Sequence, residues 1–324
     1  MALQTNSDTL VTVFGGSGFL GRHVVRALAK RRFRIRVAVR RPELAGHLQP
    51  LGTVGQIHAV QANLRYPASV EAAVRDASVV INLVGILFER GRQRFDVVQH
   101  LGAEQVAKAA HAHGARLIHT SAIGADEHSP SLYAQSKAHG EHAVRTVLPD
   151  AVIVRPSVVF GPEDDFFNRF GSLARFLPAL PLVGGGHTRF QPVYAADVGE
   201  AIANLVETGE GAGKTYEFGG PEVRTMREIM EYVLAETGRS RMLVPVPFTL
   251  AKIQAWFLQF LPNPPLTPDQ VELLRTDNVV SEHAIRDHRT LQGLGITPAA
   301  YQAVVPSYLW RFRKTGQFRT NRYA

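Results

Sequence analysis

The run VTVFGGSGFLGRHVVRALAKR, residues 11–31, constrains the fold more than any other stretch. Its first four residues are β-branched or aromatic and favour an extended strand. Its second half places Phe19, Leu20, Val24, Val25 and Leu28 on one face of an amphipathic helix. Between them the chain must turn within a few residues, and Gly15, Gly18 and Gly21 set a G-x-x-G-x-x-G spacing across that turn. Glycine permits the sharp turn and lets the backbone approach an anion, whose charge meets the unpaired N–H groups at the helix start. Gly15, Gly16, Ser17, Gly18, Phe19, Leu20 and Gly21, with Arg22 just inside the helix, are therefore the expected cradle for a dinucleotide's diphosphate.

The strand–helix rhythm continues. FRIRVAVRR turns Ile35, Val37 and Val39 inward as a second strand, and IHAVQAN, VVINLVG, RLIHTSA and AVIVRPS are further strand candidates. Helical stretches such as 68–75 and 102–113 separate them. This order predicts an α/β fold, a doubly wound parallel sheet of Rossmann type. After Arg155, proline and glycine become frequent (FLPALPLVGGG, LPNPPLTP), and TMREIMEYVLAETG begins with a capping box, Thr225 and Glu228. The expected organisation is an NAD(P)-binding domain over 8–156, rejoined by 188–208. Residues 157–187 and 209–324 then form a smaller, mostly helical C-terminal lobe over the strand ends.

The end of the second strand distinguishes one dinucleotide from another. NAD-preferring folds usually offer a carboxylate there for the adenosine ribose hydroxyl. This chain offers Arg40 and Arg41, about twenty residues beyond the glycines. Guanidinium groups pair bidentately with a ribose phosphate that a carboxylate would repel, which favours NADP(H) over NAD(H). The competing reading is a solvated RR turn in an arginine-rich chain. Asn63 and Leu64 follow the third strand, where such folds often enclose the adenine; Asn82 and Gly85 end the fourth, on the expected nicotinamide side.

The net charge of +8 suits an acidic ligand, anionic lipid or acidic protein partner. Nucleic acid is not expected, because the arginines are scattered and no known binding motif occurs. With no cysteine in the chain, disulfides and thiolate metal sites are excluded and a reducing compartment fits. HAH at 111–113 and the pair His139 and His142 lack a third ligand nearby, so no metal is expected. A signal peptide is not expected ahead of a strand that begins at Leu10, and the longest apolar run, VVINLVGILF, has the size of a buried strand. The expected location is the cytoplasm.

YAQSK, residues 133–137, sets a phenol and an amine four positions apart, so Tyr133 and Lys137 share a helix face. A neighbouring cation lowers a phenol's pKa towards the range useful for proton transfer. The motifs GGSGFLG, INLVG, TSAIGAD, YAQSKAHGE, VRPSVVFGPED and QPVYAADV follow one another over roughly the first two thirds of the chain. In that order they resemble the short-chain dehydrogenase/reductase superfamily, in its extended and atypical branches. The resemblance implies that Ser121 holds a substrate oxygen, Tyr133 passes the proton, and Lys137 binds the nicotinamide ribose and lowers the tyrosine pKa. Pro156 joins the cofactor-binding set on the same ground.

VVINLVGILFE, VRPSVVFGPEDDFFNRF and QPVYAADVGEAI look in addition like the dehydrogenase-like accessory subunits of respiratory complex I and their bacterial relatives. YEFGGPE and LVPVPFTLAKIQAWF extend that likeness into the lobe. It implies a tightly held NADPH, contact with complex I subunits, and a stabilising or assembly role beside the quinone-reducing module with little or no turnover. The alternative is a free-standing NADP-dependent oxidoreductase or epimerase that uses the Ser-Tyr-Lys triad.

FTLAKIQAWFLQFL, residues 248–261, carries Phe248, Ile253, Trp256, Phe257, Phe260 and Leu261. Near the terminus, YLWRFRKTGQFRTNR interleaves aromatics with Arg311, Arg313, Lys314, Arg319 and Arg322. Both segments suit an anionic membrane surface or a membrane protein. That placement would be the cytoplasmic face of the inner membrane, or the matrix side in a mitochondrion. The plainer alternative packs the 248–261 stripe on the sheet.

Overall fold

The structure, a computed structural model, describes residues 6–314 and 316. Contacts divide it into two units. Unit 1 holds the residues up to Pro156 together with Ala195–Phe218 and Val280–Thr297; unit 2 holds Ser157–Tyr194, Gly219–Val279 and the residues from Pro298 onward.

Unit 1 alternates as its sequence demands: β1 (Leu10–Phe14), α1 (Phe19–Lys30), β2 (Arg34–Val39), β3 (Ile57–Gln61), α2 (Pro67–Val74), β4 (Val79–Asn82). Then follow α3 (Gly102–Ala112), β5 (Arg116–Thr120), α4 (Leu132–Val147) and β6 (Val152–Pro156). The sheet has seven strands in the order Thr215–Phe218, β6, β5, β4, β1, β2, β3. Every neighbouring pair is parallel. Parallel strands are covered on both faces, so their inner residues need no polar alternation. Val11, Val13, Val80 and Ile81 are accordingly all fully buried. Because β1 lies between β4 and β2, strand order reverses at β1, and a crevice opens beyond the carboxyl ends there.

The helix Ala195–Thr208 packs on α1. Gly199 makes the close approach possible: a Cβ there would stand 2.8 Å from the carbonyl carbon of His23. Arg31, at the end of α1, fixes the pair by donating to Glu200 at 2.6 Å and Glu207 at 3.1 Å. The segment 209–218, grouped with the lobe from sequence, contributes the edge strand Thr215–Phe218, which pairs with β6.

Ahead of α3, a π-helical segment spans Asp96–Leu101, so the helix pattern read from 102 begins earlier. Its apolar stripe (Phe95, Val98) is buried, and the carbonyl of Gln99 comes so near α4 that a Cβ on Gly140 would meet it at 2.2 Å. π-Helical turns insert an extra residue per turn and occur frequently at functional sites.

Unit 2 is built from short strand pairs and helices. Ala179–Val183 pairs with Met242–Val246 in parallel, and Arg189–Phe190 pairs with Arg224–Thr225 antiparallel. Phe160, Phe167, Leu182, Ile229, Val233 and Leu309 fill its core. The helix Met226–Thr237 carries the capping box read from sequence, Thr225 with Glu228. In the helix Phe248–Leu258 only Ala251 and Ala255 are buried. Trp256, Phe257 and Phe260 are 52%, 64% and 72% exposed, so the aromatic stripe is a surface feature. Trp310 is also partly exposed. Arg311 donates to Asn168, and Arg313 pairs with Glu236. Arg319 and Arg322 lie outside the described residues. Among the described residues, no helix is long and apolar enough to cross a membrane.

The tight crossing at Gly199 yields a prediction. Gly199→Ala forces α1 and its partner helix apart and should cost about 1–3 kcal/mol of stability. Chemical denaturation measures this, and an unchanged midpoint would contradict the close crossing.

Candidate functional site

The glycine turn takes its shape from backbone contacts. Gly15 has φ +76°, a left-handed conformation that glycine adopts without strain. Its N–H donates to the carbonyl of Ala38 at 3.1 Å, and its own carbonyl accepts from Gly18 at 3.0 Å. That same carbonyl leaves no room for a side chain at Gly21, where a Cβ would stand 2.3 Å away. α1 begins at Phe19 with no side-chain cap, so no side chain competes for its N-terminal end.

Beyond the carboxyl ends of β1 to β4 lies a cavity of about 360 Å³. Its lining includes Gly15, Ser17, Gly18, Phe19, Leu20 and Gly21 of the turn after β1, Arg40 after β2, Asn63 and Leu64 after β3, and Gly85 after β4. Gly16 faces inward instead, where a Cβ would meet Val37 at 2.9 Å. Arg22, Arg41, Asn82 and Pro156 are absent from the lining. Arg41 is exposed, and Asn82 is buried beneath the wall, its Oδ1 accepting from the N–H of Val84 at 3.1 Å.

Ser121, Tyr133 and Lys137 sit at the end of β5 and on α4, outside the lining of that cavity. Ser131 starts α4 by accepting from the N–H of Ala134 at 3.3 Å, which fixes the entry into the Tyr133 turn. Lys137 is buried; its Nζ donates to the carbonyl of Thr120 at 3.3 Å and lies 5.9 Å from the centre of the Tyr133 ring. Phe95 makes a T-shaped contact with that ring, 5.8 Å between centroids. Gly85 connects this group to the cavity, since a Cβ on it would stand 3.3 Å from both Lys137 Nζ and Gln99 Oε1.

Two neighbours of this candidate site, Gln99 and His119, lie outside the residues singled out from the sequence. Gln99 accepts from the N–H of Ile86 at 3.2 Å and donates to Ser136 at 2.8 Å, tying the loop after β4 to α4. A polar residue within the apolar stripe Phe95, Val98, Ala103 was the available signal. His119, in β5, lies 3.2 Å from the amide of Asn82. The Asn82 oxygen is already engaged by Val84, so its amide nitrogen donates to Nδ1 and the ring proton resides on Nε2.

Burial lowers the pKa of Lys137 to about 8, against the opposing effect of Glu141. Burial, reinforced by the charge of Lys137, lowers that of His119 to about 3. Thr120 Oγ1 and Ser121 Oγ are buried with no hydrogen-bond partner among the described residues, an arrangement that a ligand or water normally completes. A side-chain-free cradle at Gly21 and these two hydroxyls fit a dinucleotide.

The depressed pKa of His119 has a consequence for acid stability. Above pH 6.5 the ring is neutral folded and unfolded, and its contribution is complete. As pH falls from 6.5 towards 3 the unfolded chain binds the extra proton first, and stability is progressively lost. His119→Gln should flatten urea midpoints over that window. Parallel acid limbs for the two proteins would disprove it.

The model of the NAD dependent epimerase/dehydratase family matches residues 11–219. The chain is 37% identical over 323 residues to mitochondrial NADH dehydrogenase (ubiquinone) 1 alpha subcomplex subunit 9 of Arabidopsis thaliana, covering 96% of this chain and 79% of that protein. It is 37% identical over 204 residues to ceramide reductase of Caulobacter vibrioides, covering 63% of this chain and 62% of that protein. An NADPH-dependent quinone oxidoreductase from Escherichia coli, solved with NADPH, has the same fold, with a TM-score of 0.72 at 18% identity over 93% of this chain and 99% of that one. The chain belongs to the NAD dependent epimerase/dehydratase family, with its NAD(P)-binding fold, and is a homologue of the alpha subcomplex subunit 9 proteins.

Proposed function

We propose that this protein holds NADP(H) as an accessory subunit of respiratory complex I, where it supports assembly or stability with little or no turnover. The observation that carries this reading is the reach of the relationship. The likeness to the alpha subcomplex subunit 9 protein covers 96% of the chain and so includes unit 2, whereas the likeness to the reductase covers 63%.

NADP(H) is favoured over NAD(H) because Arg40 lines the cavity where a carboxylate would oppose an extra phosphate, and no acidic residue among the described ones lines it. The glycine turn and the uncapped start of α1 take the diphosphate. Bound NADP(H) would supply hydride-transfer chemistry at its nicotinamide. Lys137, held by the Thr120 carbonyl, positions the adjoining ribose and places a cation near the Tyr133 ring. The partners are complex I subunits and an anionic membrane surface, which the exposed Trp256, Phe257 and Phe260 suit. The location is then the cytoplasm or the cytoplasmic face of the inner membrane, the matrix side in a mitochondrion.

A second reading, a free-standing reductase, draws on the unpartnered Ser121 hydroxyl and the buried Lys137, both at the end of β5. There Ser121 would hold a substrate oxygen and Tyr133 would pass it a proton.

Two outcomes separate the readings. Affinity-tagged protein solubilised from membranes should co-purify with NADH:ubiquinone oxidoreductase activity and release NADPH on denaturation. Recovery as an isolated soluble species would favour the reductase. Tyr133→Phe should retain the nucleotide and leave respiratory activity at the wild-type level; a loss of 100-fold or more would assign the phenol a chemical role.

A further inference from the structure

We propose that Arg65 is a second cation for the extra phosphate of NADP(H), gripping it together with Arg40. This rests on the NADP(H) reading above. Among the described residues, the cavity wall contains two charged ones, and both are arginines: Arg40 at the end of β2 and Arg65 just after β3. The two strands are parallel neighbours with Val39 level with Gln61, so both arginines emerge at the same sheet end. No carboxylate pairs with either among the described residues. The diphosphate is accounted for by the glycine turn and the start of α1, at a different part of the wall. Two unneutralised guanidinium groups at the β2–β3 end therefore point to a further anionic group on the ligand.

Local structure holds Arg65 in place. Asn63 Oδ1 accepts from the backbone N–H of Arg65 at 3.2 Å and from its Nε at 3.4 Å. The side chain is thus tethered through Nε, which leaves the two terminal nitrogens as donors. Ser69 fixes the turn itself, accepting from the N–H of Asn63 at 3.0 Å and donating to its carbonyl at 3.1 Å. Arg65 is only half-buried, so its guanidinium is accessible to a ligand. Asn63, read from sequence as an adenine neighbour, becomes in addition the residue that aims this guanidinium.

The test uses the full-length protein and two fragments of the ligand, 2′,5′-ADP, which carries the extra phosphate, and ADP, which lacks it. Arg65→Ala should weaken 2′,5′-ADP and NADPH by about tenfold or more, as expected for loss of a charge-assisted hydrogen bond. ADP and NADH should change less than about twofold, and Arg65→Lys should restore part of the loss as a point charge. Equal weakening of all four nucleotides would overturn the proposal in favour of stacking on the adenine. If Arg40→Ala abolishes the phosphate preference and Arg65→Ala leaves it intact, Arg65 has no such role while the NADP(H) reading stands. If the unaltered protein prefers NADH, the NADP(H) reading fails and this proposal with it.

Discussion

The contact on which the nucleotide unit depends is one that a side chain would prevent, between the carbonyl of Gly15 and the α-carbon region of Gly21. Their closeness brings the start of α1 directly over the end of β1. That start is then held against the sheet through Gly16 and Val37, and the middle of the helix against Ala195–Thr208 through Gly199 and His23. Arg31 secures the far end through Glu200 and Glu207. One helix is thereby located at three points along its length, which is what an anion site made from backbone N–H groups needs. A loosened crossing at Gly199 would be transmitted to the cradle although it lies well away from it in sequence.

A net charge of +8 says less about the surface than it first implies, because much of the arginine content is spent internally. Arg155 forms a bidentate pair with Glu141 at 2.8 and 2.7 Å. Arg116 donates to the carbonyl of Leu205 at 2.8 Å, near the end of a helix whose dipole favours a cation there. Arg239 and Arg241 bond to carbonyls of Phe312 and Ala174 in unit 2. Such groups are structural braces. Among the described residues, Arg40 and Arg65 have no such carboxylate partner, which concentrates usable charge at the β2–β3 end of the cavity.

The parallel sheet was legible because β1, β2, β4 and β6 are short runs rich in buried β-branched residues with helix-sized segments between them. The glycine turn and the Thr225 capping box were legible for a related reason, since their residue types follow from local backbone geometry alone. What could not be read depended on contacts far apart in sequence. Thr215–Phe218 belongs to the sheet because β6 offers it a free edge, and nothing in TYEF announces that. The π-helical segment arises where Gln99 meets Gly140, forty-one positions away in the chain. In sequence His119 is one more residue of the strand RLIHT, and only the fold sets Asn82 beside it. Arg65 stood outside the RR pair that drew attention, and only the folding of β3 against β2 brings it to the cavity.

The placement of the aromatic side chains has a practical corollary. The chain has two tryptophans, Trp256 and Trp310, and both belong to unit 2 with their indoles partly in water. Intrinsic emission on denaturation therefore tracks the local surroundings of that unit, and the change in signal is small because the rings begin half-solvated. Unfolding confined to the nucleotide-binding sheet would leave both indoles in place, and following it calls for far-UV circular dichroism or amide exchange.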